Sequence, residues 1–278
     1  MSITEYKDVP YGPYERNVLD AYIVDSKEPV PALIYFHGGG YIEGDKTEMS
    51  TNPLKDELLE AGISVITCNY RFITNDPFPA PMEDGTRAIQ FVKSKASEWG
   101  INPTKIASAG SSAGGHLALW NALKGELAKP GTSDPIERIS SKVTAFIGFA
   151  TQVSKDQRFY ETIYDGPYIQ PNLSLFYGVS TIEDLYQPKT LKLAEEASAI
   201  NFMSSDAPPA FMEYYYDFDK PRIPRDADVG EVIHHPIHGF TLKRKYDALQ
   251  IPFIFRHQGN PARPGEIVQF LNECFNNR

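Results

Sequence analysis

The chain has 278 residues, 41% of them apolar and 23% charged, which is the composition of an ordinary globular protein. Its net charge of -9 argues against a nucleic-acid-binding surface, which is normally basic. No apolar stretch reaches the roughly 18 residues of a membrane span, and Met1 to Asp8 carry neither the basic nor the apolar segment of a secretory signal, so a cytoplasmic protein is expected.

Ala32 to Phe36 predicts a strand that runs straight into His37-Gly38-Gly39-Gly40-Tyr41. A glycine run at a strand exit lets successive backbone N–H groups turn toward one point, where they can hold an oxyanion. Asn52-Pro53 reads as a cap with proline at the first helical position, and that helix ends at Gly62. Ile63 to Tyr70 is a strand rich in β-branched residues. A second helix is expected from Pro81 to Gly100, with Ala88, Phe91, Val92 and Trp99 as its buried stripe.

Ile106 to Ala109 predicts a buried strand, followed by Gly110-Ser111-Ser112-Ala113-Gly114 and an apolar segment of helical spacing through Leu117, Trp120 and Leu123. Strand, tight turn and helix is the setting in which G-x-S-x-G becomes a nucleophile elbow, with Ser112 as the exposed serine. The glycines are needed because a Cβ there would collide with the neighbouring strand and helix. Either motif alone is weak, since a glycine turn is common. Together, in this order and both at strand ends, they point to acyl-transfer machinery in which the amides of Gly39, Gly40 and Ala113 form the oxyanion hole and Gly38 shapes the turn.

Further strands are expected at 145–149, 210–216 and 251–256, and helices at 240–250 and 266–275. Near-continuous apolar strands alternating with helices imply an α/β architecture, a doubly wound, mostly parallel sheet with both faces covered, in a single domain over residues 1–278. The segment at about 151–206 breaks this rhythm. It holds many aromatic residues, among them Phe159, Tyr160, Tyr168 and Tyr177, and reads either as a decorated crossover or as a cap over Ser112, with the cap favoured. Ser180 with Glu183 has the spacing of a capping box for a short helix there. Cys68 and Cys274 lie far apart and read as small buried apolar residues.

The motif His37 to Lys46, Asn69-Tyr70-Arg71, Phe78 to Asp84, Gly100 to Pro103 and Gly110 to His116 together resemble the α/β-hydrolases of the hormone-sensitive-lipase-like type, in the small bacterial esterase/lipase branch. The similarity is dense from about Tyr35 to Leu123 and thin afterwards. It implies the α/β-hydrolase fold and a serine hydrolase that cleaves short-chain, small aromatic or sugar-linked carboxylic esters through an acyl-serine intermediate. It implies no cofactor and no metal. The expected partner is a small ester substrate, without nucleic acid or membrane, and a homodimer is an assembly the sequence allows.

The resemblance also implies an acid after the strand at 210–216, where Asp219 matches the usual spacing and Asp217 is its neighbour. The base is where the chain departs from the family. The expected slot after the last strand falls near Asn260 to Ala262, and no histidine stands there. Three readings follow. His257, at the end of that strand, has the right element and chain order and completes a Ser112–Asp219–His257 triad. Alternatively His238 or a neighbour in the loop that also holds His234 and His235 is the base. In the third reading the triad is incomplete and the chain is a binding or regulatory module. Of the remaining histidines, His37 belongs to the oxyanion strand end and His116 points from the nucleophile helix into packing. Metal binding by the three-histidine loop is disfavoured, because Pro236 stiffens it and no acidic partner is close in sequence.

Overall fold

A computed structural model describes residues 2–166, 168–218 and 222–276. Eight strands form one sheet: β1 (Ile3–Pro10), β2 (Val18–Val24), β3 (Val30–Phe36), β4 (Ser64–Cys68), β5 (Ile101–Ser111), β6 (Ala145–Phe149), β7 (Ala210–Glu213) and β8 (Phe253–Arg256). Their spatial order is β1-β2-β4-β3-β5-β6-β7-β8. From β4 to β8 every pairing is parallel, whereas β1 and β2 are antiparallel additions at one edge.

The central strands are apolar on both sides because both sides are covered. In β3, Ala32, Ile34 and Phe36 join one core with the helices α2 (Ala80–Ser94), α3 (Ala96–Trp99) and α4 (Ser112–Leu123). Leu33 and Tyr35 join the opposite core with α1 (Pro53–Glu60) and the C-terminal helix Glu266–Asn276. Cys68 and Cys274 are buried in different cores, and no disulfide joins them.

The segment expected at 151–206 holds α5 (Gln157–Ile163), α6 (Leu173–Tyr177) and α7 (Pro188–Ala197), and no strand among its described residues. Its capping box lies one residue later than the sequence spacing indicates. Thr181 Oγ1 accepts from the Asp184 amide and the Asp184 carboxylate accepts from the Thr181 amide. After β7 come two helices, α8 (Val229–His234) and α9 (Ile237–Ala248), before β8 and the C-terminal helix α10 (Glu266–Asn276).

Several elements differ from the sequence reading. The helix expected from Pro81 to Gly100 is broken at Lys95 into α2 and α3. The first two strands have no counterpart in that reading. In β1 the alternation that marks a strand is interrupted by a register shift between Tyr6 and Val9, where Asp8 adopts a positive φ of 52°.

Candidate active site

The site is assembled from three pieces of backbone. The first is the turn between β5 and α4. Ser112 sits there at φ 48°, a left-handed conformation that a side-chain-bearing residue adopts only under constraint. The constraint is close packing. A Cβ on Gly114 would lie 2.1 Å from the Phe36 carbonyl oxygen, and one on Gly110 would lie 2.4 Å from the Gly114 carbonyl carbon. Only glycine lets helix, strand and neighbouring strand approach this closely.

The second piece is the exit of β3. Phe36 pairs with Gly110 across the sheet, so the residues that follow leave the sheet side by side. Gly39 and Gly40 both have positive φ, 100° and 60°. The Gly38 amide is already used, donating to Glu48 Oε2 at 3.0 Å. The Gly39 carbonyl accepts from the Ile42 and Glu43 amides, which folds the turn back on itself. His37 is a structural residue. Its ring stacks on Tyr70, and burial pushes its pKa down to about 4, so it is neutral. His116 is likewise buried between the Tyr41 hydroxyl at 2.7 Å and the Ala197 carbonyl at 3.0 Å, with its pKa driven well below the usual range by burial.

The third piece is α8, and it carries His234. His234 Nε2 lies 2.8 Å from Ser112 Oγ. This is one of the loop histidines of the second sequence reading. His257 is not in contact with Ser112: its ring lies among Phe218 and Phe255, and its Nδ1 is buried without a partner. The reason is geometric. His257 is the first residue past β8, held by backbone bonds to Asn260, and the turn there keeps it beside Gly259 and Asp217. His238 is also elsewhere, fully buried against Phe159 and Tyr160 with its pKa lowered to about 3 by burial. The loop histidines thus point apart and do not converge on one centre. Asp219 lies outside the described residues.

Burial lowers the pKa of His234, and Lys155 lowers it further, against an opposing effect of the Gly230 backbone. The ring is therefore neutral near pH 7. In the tautomer protonated at Nδ1, the Nε2 lone pair faces the serine hydroxyl, the arrangement a general base needs. Gln152 braces the pair. Its amide nitrogen lies 3.5 Å from Ser112 Oγ and donates to the Ile233 carbonyl at 2.9 Å.

The pocket beside Ser112 is small, about 50 Å³, and is lined by Gly40, Tyr41, Lys155, Phe176 and Ile233 among others. Lys155 is buried there, and desolvation lowers its pKa to about 7. A larger groove of about 480 Å³ lies across the strand ends, but it opens on Ser111 and not on the nucleophile. Sequence reasoning missed Lys155 and Gln152 altogether, because neither belongs to a motif and their burial is set by α5 and α6.

A mostly parallel sheet with a strained serine turn at one strand end and a glycine turn at the next defines an α/β-hydrolase fold. Residues 19–214 match the BD-FAE family model, and the chain belongs to that family. Among curated proteins it is 31% identical over 211 residues to the probable carboxylic ester hydrolase LipM of Mycobacterium tuberculosis, covering 74% of this chain and 46% of that protein. It is 29% identical over 211 residues to the esterase LipQ of the same organism, covering 74% and 47%. The chain thus spans about half the length, or less, of the curated relatives it matches. Among solved structures, a truncated carbohydrate esterase from gut microbiota superposes with a TM-score of 0.77 at 20% identity, covering 98% of this chain and 96% of that one. An acetyl ester-xyloside bifunctional hydrolase from Caldicellulosiruptor lactoaceticus gives 0.68 at 21% identity, covering 99% and 94%.

Proposed function

We propose that this protein is a serine esterase that cleaves short-chain carboxylic esters, including acyl groups carried on sugars or small aromatic alcohols, through an acyl-serine intermediate. The observation that carries the reading is the 2.8 Å contact between Ser112 Oγ and His234 Nε2 at a strained turn beside a glycine-rich strand exit. The relatives named as ester hydrolases and the carbohydrate-esterase structures support the same chemistry.

In this reading His234 takes the Ser112 proton as the oxygen attacks the ester carbonyl. The tetrahedral oxyanion is held by the amides of Gly39, Gly40 and Ala113, each such donor being worth about 10²–10³ in rate. His234 then returns the proton to the departing alcohol, and water repeats the sequence on the acyl-enzyme. Asp219 is the acid we assign behind the base, to be tested by Asp219→Asn against Asp217→Asn. The segment at about 151–206 is assigned as a cap, since its Lys155, Gln170, Leu173 and Phe176 line the pocket beside Ser112. A space of about 50 Å³ exceeds one water's share of liquid, about 30 Å³, by less than a second water. It suits acetyl and other short acyl groups. Nothing observed favours an incomplete site acting only as a binding module.

The test is Ser112→Ala. Turnover of p-nitrophenyl acetate and labelling by a serine-directed phosphonate should both be lost. Labelling that persists in the variant overturns the assignment, and rates that rise steadily from acetate to palmitate overturn the short-acyl part.

A further inference from the structure

The Ser112 pocket contains a lysine amine that the ester chemistry above does not use. Lys155 leaves the loop after β6, is only 5% exposed, and forms part of the pocket wall. Its Nζ donates to Gln152 Oε1 at 3.3 Å, a long contact with a neutral acceptor, and Gln152 in turn touches Ser112 Oγ. The ammonium is 5.3 Å from the Tyr41 ring centroid and 5.6 Å from that of Phe176, two residues of the same wall.

Other buried cations of this protein are treated differently. Lys46 pairs with the buried Asp20 at 2.7 Å, and Arg71 pairs with the buried Asp84 at 2.8 Å. Among the described residues no carboxylate forms an ion pair with Lys155, and the titratable groups on which it acts electrostatically are His116, His234 and His238, none of them an anion. Burying an ammonium without a counter-ion is unfavourable, and aromatic faces offset only part of the loss. An anion arriving through the pocket would complete the site.

We propose that Lys155 is a specificity-determining residue that pairs with a carboxylate on the half of the ester that enters this pocket. The inference rests on Ser112 being the nucleophile. A carboxylate could reside on the acyl half, as in a half-ester of a short dicarboxylic acid, or on the alcohol half. In either case it would meet Nζ one side chain away from the reacting bond, with Gln152 bridging the two.

Two matched pairs of esters distinguish the halves. Mono-4-nitrophenyl succinate against 4-nitrophenyl butyrate places charge on the acyl side, and 4-acetoxybenzoate against its methyl ester places it on the alcohol side. The wild-type protein should prefer the charged member of one pair in kcat/KM, mainly through KM. Lys155→Met, which keeps length without charge, should reduce that preference at least tenfold, and Lys155→Arg should keep part of it. Free succinate, or 4-hydroxybenzoate, should slow phosphonate labelling of Ser112 in the wild type and not in Lys155→Met. Melting curves check folding, with Lys155→Gln as the second variant should Met not be accommodated. Equal preference in wild type and variant, or no preference in either pair, overturns the proposal. Failure of the wild type to turn over any neutral ester, or to be labelled at Ser112, is a different result and removes the esterase reading itself.

Discussion

Ser112 and His234 meet at hydrogen-bond distance although 122 residues separate them, and each brings a different physical requirement. The serine needs a turn that accepts φ 48°, which Gly110 and Gly114 make sterically attainable. Gly114→Ala should therefore abolish activity and destabilise the protein, because its methyl group would fall 2.1 Å from backbone oxygen that cannot move without breaking β3. A variant with wild-type melting temperature and turnover would refute this. The histidine needs a neutral ring. His234→Ala should lower kcat by several orders of magnitude, as loss of a triad base does, and His257→Ala should stay within a few-fold of wild type. The reverse outcome would restore the His257 triad. Since burial and Lys155 lower the His234 pKa, the acid limb of kcat/KM should lie below pH 6.5, the ordinary histidine value, with activity falling as pH decreases through it.

At the level of elements, α8 decides where His234 stands. It has six residues, too few to hold itself together, so capping and packing must fix it. The Asp228 carboxylate accepts from the Glu231 amide at 2.8 Å, and Val232 packs with Tyr160, Ile163 and Tyr164 of the α5 region and with Ile223 and Ile237. Asp228→Ala should cost about 1 kcal/mol of local helix stability. It should reduce kcat more than it lowers the melting temperature, while Asp228→Ser should restore most of kcat because serine caps as well. Equal activity in all three proteins would show that the cap does not position His234. Elements with strong local signals were legible in sequence. The strand at Ala145–Phe149 and the start of the last helix at Glu266 fall where expected, because apolar runs and their flanking breakers are local features. β1 was illegible because its bulge breaks the period of two.

Across the whole molecule, buried neutral histidines link stability to pH. His37 and His238 titrate at about 4 and about 3 in the folded chain, and His116 is also strongly depressed, all by burial. The unfolded chain binds these protons near pH 6.5, so the folded state is favoured above that value and loses ground as pH falls toward 4. Each group contributes up to about 1.4 kcal/mol per pH unit within that window. The melting temperature should drop by at least roughly 5 °C between pH 7 and pH 5, and His238→Asn should make the slope shallower. A melting temperature independent of pH across that range would mean that these rings are protonated without unfolding.

The glycine turn after β3, the serine elbow after β5 and the central strands were legible in sequence, because each depends on residues within a dozen positions of one another. The histidine that meets Ser112 was not. Several histidines compete for the role, and local pattern favours His257, whose element and chain order are right. Only the packing of α8 against α5 carries His234 to Ser112 and turns His238 into the core. Lys155 follows the same logic: in sequence it is one of many charged residues, and it becomes a buried cation beside the nucleophile only once Tyr41 and Phe176, 135 positions apart, close around it. Burial is a property of the assembled chain, and it is burial that sets the state of each histidine and of Lys155.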